Sequence, residues 1–83
     1  MDLPLQDGTI LTLEQIADVA RRLREESGDK QEETAEKIDV DQAVISKAEN
    51  GAKRYVSVCI SMIEEYSDCT VESPLYRITR RED

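Results

Sequence analysis

The sequence predicts a mainly α-helical fold, a compact domain of four to five helices with short β segments at the N- and C-termini. Three observations carry this expectation. "TLEQ" at Thr12–Gln15 is a capping box that opens onto apolar residues at helical spacing. "KQEETAEKIDVDQAVISKAENG", Lys30 to Gly51, reads as two short helices joined by a tight turn. Near the C-terminus, "LYRIT" is short, alternating and β-prone.

In chain order, Leu3 to Leu11 holds Asp7-Gly8 between short apolar segments. Asp-Gly tolerates the positive φ angles of a type I′ turn, so the segment is either a small hairpin or an extended arm with one turn. The first helix starts at Thr12, whose hydroxyl can bond the Gln15 amide while Gln15 reaches back. Leu13, Ile16, Ala17, Ala20 and Leu23 make its apolar face, and it runs to about Glu26. Gly28 suits a left-handed cap. The second helix is expected to start near Asp29, with Glu32 reaching back, and to end near Ile38; Ala35 and Ile38 form its stripe, beside Thr34. The third is capped by Asp41 and runs from Gln42 to about Glu49, with Ile45 and Ala48 inward and Asn50-Gly51 ending it. The fourth follows the basic turn "AKRY", buries Val56, Ile60, Ile63 and Cys59, and closes at Ser67-Asp68. Ser73-Pro74 would start a helix well, but "LYRIT" favours a strand that pairs with the N-terminal arm. The expected division is an arm or hairpin over 1–11, a helical domain over 12–68 and a tail over 69–83 that serves as a dimerisation strand.

Composition narrows the chemistry. An 83-residue chain is one small domain with a thin core. It has no histidine and two cysteines, Cys59 and Cys69, without a CxxC, so no zinc site is expected. "MDLPLQDG" has neither a basic start nor an apolar run, and no window approaches the roughly 20 apolar residues of a membrane span. The expectation is a soluble, cytoplasmic protein with free thiols, no cofactor and no membrane contact. No phosphate-cradling glycine loop and no nucleophile–base constellation appears, so no enzyme is expected. The net charge of −8 is unevenly spread: residues 1–20 hold four acids and no Lys or Arg, whereas residues 21–54 hold eight bases against nine acids.

Gln31, Ala35, Ile38, Val40, Gln42, Ile45, Ser46 and "ENG" at Glu49–Gly51 resemble the lambda-repressor-like (XRE, Cro/repressor) helix-turn-helix family. "RRLREESG" resembles the family's first helix, and the spacing is kept without insertion across the first three helices. The resemblance spans about Ile16 to Tyr66. It implies that Arg24 and Glu49 form an ion pair holding the first helix to the end of the third. It places Gln42, Ala43, Ser46 and Lys47 against base edges in the major groove, where a Gln can bond adenine N6 and N7 and an Ala can touch a thymine methyl. It places Gln31 and Asn50 at DNA phosphates, and Lys53 and Arg54, in the loop after the third helix, are well placed for the same role.

Asp39 stands where the family usually has Gly, Asp41 where it has Ser, Thr34 where it has Leu, and Asp29 where it has an apolar residue. These changes weaken the core and oppose DNA without moving the spacing. The implied function is a sequence-specific transcriptional regulator, a repressor, that reads a two-fold symmetric operator in double-stranded DNA as a homodimer. The acidic surface motivates an alternative. In it the same fold is a protein-interaction module, such as an antitoxin binding its toxin, with little or no DNA binding.

Overall fold

The computed structural model describes residues 5–51, 53–72 and 76–81. Four helices, α1 (Leu13–Ser27), α2 (Gln31–Ile38), α3 (Gln42–Glu49) and α4 (Val56–Tyr66), precede two antiparallel strands, β1 (Cys69–Glu72) and β2 (Arg77–Arg80). No helix among the described residues is long and apolar enough to cross a membrane.

The capping box at α1 is complete: the Gln15 amide donates to Thr12 Oγ1 at 3.1 Å, and the Thr12 amide donates to Gln15 Oε1 at 2.9 Å. Gly28 ends the helix at φ +85°, the left-handed conformation that a Cβ disfavours. The buried face is Ile16, Ala17, Val19, Ala20 and Leu23. Val19 joins the expected set because α1 packs against both α3 and α4, which widens the stripe it must bury. Leu13 departs from expectation and is exposed. Leu11, the residue before the cap, fills the core at that end with Ile16, the pairing of a hydrophobic staple.

The second helix begins one residue later than the sequence suggests. Lys30 is its N-cap, and the Glu33 carboxylate, not that of Glu32, accepts the Lys30 amide at 2.9 Å. The reason is that the Asp29 carboxylate is engaged elsewhere: its Oδ2 accepts Lys37 Nζ at 2.5 Å and Tyr66 Oη at 2.7 Å. In α4 the fully buried residues are Cys59, Met62 and Ile63, while Val56 and Ile60 are only half-buried. Residues 59, 62, 63 and 66 share a face at helical spacing, turned inward where α4 packs mainly on α1 and also meets α2 and α3. Cys59 and Cys69 are free and buried; the Cys59 thiol donates to the Ala48 carbonyl at 3.4 Å, tying α4 to the end of α3. Burial pushes the Cys59 thiol up to about 11, so it stays protonated.

The two chain ends meet. Asp7-Gly8 forms a turn, with Gly8 at φ +88°, but does not fold the arm into a hairpin among the described residues. The arm lies along β2 instead: the Gly8 amide donates to Ile78 O and the Ile78 amide to Thr9 O, both at 2.8 Å, and the Leu11 amide to Tyr76 O at 3.2 Å. The other edge of β2 pairs with β1, from Cys69 opposite Arg80 to Glu72 opposite Arg77. Leu11, Cys69, Val71 and Ile78 enter the same core as the helices. Leu3 and the Ser73-Pro74 helix start lie outside the described residues.

A polar network centred on Thr34 fixes α2 to α4. Thr34 is fully buried, and its Oγ1 lies 2.7 Å from Tyr66 Oη. The phenol proton goes to Asp29, so the Thr34 hydroxyl is the donor in this pair. Burial holds the Tyr66 phenol above its ordinary value, which keeps that donor protonated. Lys37 completes the group, 5.4 Å above the Tyr66 ring. Tyr66→Phe strands the buried threonine hydroxyl and should destabilise the fold by about 1–2 kcal/mol in urea denaturation. Adding Thr34→Val removes the stranded group, so the double variant should be no less stable than Tyr66→Phe alone.

The same network gives a pH dependence. Hydrogen bonds from Lys37 and then Tyr66 hold the Asp29 carboxyl below its ordinary value. A depressed carboxyl contributes stability that is present above its unfolded value, near 3.9, and is lost as pH falls through the folded value. Thermal melts should find Asp29→Asn less stable than wild type at pH 7, with the gap closing as pH falls from about 4. A gap that stays constant down to acid pH would assign Asp29 no role through its charge.

Candidate nucleic-acid interface

The packing of α2 on α3 starts from small residues. Ala35 and Ala48 are buried at the contact with Ile45, and larger side chains there would push the helices apart. Asp39 makes the turn at φ 59°, ψ 54°. The Val40 amide donates to Ala35 O at 2.9 Å and the Asp39 amide to Glu36 O at 3.4 Å, the pattern of a Schellman cap. Asp tolerates this conformation better than most non-glycine residues because its short polar side chain bonds locally. Asp41 then occupies the N-cap of α3. Its carbonyl accepts the Val44 amide at 3.0 Å, but its side chain makes no capping bond, contrary to the sequence expectation. The exposed Asp41 carboxylate therefore has no partner among the described residues and stands at the positive end of the α3 dipole.

The far end of α3 is clamped to α1. Arg24 Nε and Nη2 donate to Glu49 Oε2 and Oε1 at 2.5 and 2.9 Å, and Arg24 Nη1 donates to the Asp29 carbonyl at 3.0 Å. The side chains are 13% and 5% exposed, so this bidentate pair is largely withdrawn from water. Its hydrogen bonds to Glu49 hold the Arg24 guanidinium above its already high ordinary value, and it is cationic at every working pH. Gln31 Nε2 adds a third donor to Glu49, at 3.1 Å to Oε1, so the start of α2 joins the clamp. The sequence placed Gln31 at phosphate; its amide points inward here, and its nitrogen retains one hydrogen beyond this bond. Asn50 behaves similarly, with Nδ2 donating to Ser46 O at 2.9 Å and closing α3.

With Ile45 and Ala48 inward, the opposite face of α3 is presented to solvent. Gln42, Ala43 and Lys47 are exposed and Ser46 is half-buried. Residues 42 and 46, and 43 and 47, stack one turn apart along that face. Lys30, at the cap of α2, and Lys53 and Arg54, after α3, are exposed as well. Among the described residues, none of Lys30, Lys47, Lys53 and Arg54 forms an ion pair, whereas Arg21, Arg22, Arg24, Lys37 and Arg77 all do. Glu32, Glu33, Asp39 and Asp41 are exposed acids close in sequence to this face.

A helix-turn-helix family model matches residues 21–58, from the second half of α1 to the first turn of α4. The segment is a lambda-repressor-like (XRE) helix-turn-helix. No curated protein and no solved structure is significantly similar to the chain. This helix-turn-helix supports a DNA-binding regulator, and the family is regulatory rather than typically enzymatic. What sequence reasoning missed is the third donor of the clamp, Gln31, and the engagement of Asp29 by Tyr66 and Lys37. Both join residues far apart in the chain, and no local pattern signals them.

Proposed function

We propose that the protein is a transcriptional repressor that lays α3 in the major groove, with Gln42, Ala43, Ser46 and Lys47 at base edges. Lys53 and Arg54 take backbone phosphates, together with the remaining amide hydrogens of Gln31 and Asn50. The observation that carries this reading is the contrast among the cations. Those on and beside the reading helix are exposed and unpaired among the described residues, while five of the seven others are spent on acids of the chain, the remaining two being Arg80 and Arg81 at the end of the sheet. Only unpaired cations release counterions in full on meeting phosphate, and that release drives association with DNA. A homodimer, formed through α4 or the C-terminal tail, sets two reading helices about 34 Å apart on a two-fold symmetric operator. The net charge of −8 opposes non-specific binding, so affinity depends on dimerisation and matched bases.

Repeated selection from random duplexes at low salt tests this directly. The expected outcome is an enriched sequence with two-fold symmetry, bound as two protomers by sedimentation. A pool that shows no enrichment rejects the regulator and leaves a protein-interaction module in its place.

A further inference from the structure

The small sheet has one covered edge and one open edge. On the outer side of β1, the Val71 amide donates to Glu64 Oε2 and the Cys69 amide to Ser67 Oγ, both at 3.2 Å. The Cys69 carbonyl accepts Arg81 Nη2, also at 3.2 Å. Side chains thus occupy the groups that another strand would need, the usual protection of an edge. The opposite edge is the N-terminal arm. Thr9 O and Leu11 N point at β2, so by the alternation of an antiparallel ladder the Ile10 amide and carbonyl point away from it. Among the described residues nothing takes either group. The Ile10 side chain is 59% exposed, and Leu13 nearby in sequence is the other large exposed apolar residue among the described residues.

A cleft of about 270 Å³ opens on the solvent face beside this edge, lined by Asp7, Gly8, Glu72, Arg77, Ile78 and Thr79. Gly8 adds no side chain to the lining, and nothing lies within 4 Å of where its Cβ would stand. Arg77 is neutralised by Glu72 at 2.5 Å. Asp7 uses Oδ1 to accept the Arg80 amide at 2.9 Å, and Oδ2 has no partner among the described residues. The charged groups of the lining, Asp7 and Glu72 against Arg77, therefore leave the cleft with a net negative charge centred on Asp7. A second copy would bring the same acids against themselves. A cationic strand would not.

We propose that the Ile10 edge docks an extended, lysine- or arginine-bearing segment of a partner protein. The segment pairs its backbone with Ile10, covers the Ile10 side chain with an apolar residue and inserts a cationic side chain into the cleft beside Asp7. This is strand addition to a sheet edge, in which main-chain bonds supply affinity and alternate side chains supply selectivity. The surface is separate from the reading face of α3, so the proposal stands whether or not the protein reads DNA.

The probe is an acetylated, amidated hexapeptide that carries valine and lysine two residues apart, so that both side chains lie on the Ile10 face of the strand, titrated into the ¹⁵N-labelled full chain. Amide shifts concentrated at Gly8, Ile10, Arg77 and Thr79 are expected. A glutamate-for-lysine peptide should leave these signals in place, as should a peptide N-methylated at its central residues. Ile10→Ser, at an exposed site, and Asp7→Asn, which keeps an acceptor for Arg80, should each weaken binding about fivefold, while Gln42→Ala should not. The idea is overturned by shifts scattered over the exposed acids of α2 and α4, or by equal response to the methylated peptide. Absence of shifts at millimolar peptide overturns it too. Concentration-dependent shifts at Ile10 without peptide would mean that a second copy takes the edge, which also rejects it.

Discussion

Glu49→Ala should destabilise the protein by about 2 kcal/mol, because it strips a largely buried guanidinium of its counterion. Glu49 accepts two hydrogen bonds from Arg24 and one from Gln31, and its side chain is only 5% exposed. After its removal Arg24 retains only the Asp29 carbonyl among its described partners. A lone charge that has lost its partner is worse than no charge, so adding Arg24→Ala should cost little further. Urea denaturation of the two single variants and the double variant measures the coupling. Strictly additive losses would mean that the two residues act separately. The clamp also orients the end of α3 relative to α1, so Glu49→Ala should weaken binding to a selected operator by more than its loss of folded population explains.

Gln42→Ala should weaken the preferred duplex by about 1–3 kcal/mol while leaving random DNA nearly unchanged. Gln42 is exposed in the first turn of α3 and, among the described residues, its amide has no partner within the chain. A neutral amide can bond a base edge in two places yet releases no counterion. Lys53→Ala is the counterpart. It should weaken all sequences alike and flatten the slope of log K against log salt by about one unit. Binding of wild type and both variants to selected and scrambled duplexes, across a salt series, separates the two roles. Equal loss on both duplexes for Gln42→Ala would remove it from base recognition.

The helices were legible because their signals are local. The Thr12–Gln15 box, Gly28 after α1 and the inward pair Ile45 and Ala48 depend on spacing within one turn or two, and each is found in place. The misreadings have a common physical form. Asp29 looked like a cap until Lys37 and Tyr66, 8 and 37 residues away, took its carboxylate. Leu13 looked buried because its phase on α1 is correct, but Leu11 closes that end of the core. Met62 went unnamed because the orientation of α4 is set by α1. The four-residue β1 is too short to show a period without its partner β2.

By itself, then, the sequence determined the helical framework, the turn between α2 and α3 and the family of the helix-turn-helix segment, since capping, periodicity and turn conformation are properties of neighbours along the chain. Apart from the expected Arg24–Glu49 pair, tertiary structure alone decided which acids neutralise which bases, and therefore which cations remain unpaired around α3. The pairing of the arm with β2 was expected, but only the folded structure decided that it leaves Ile10 at an open edge. Both outcomes turn on groups that meet only after folding, where a carboxylate goes to the strongest donor within reach and a strand to the nearest unfilled ladder.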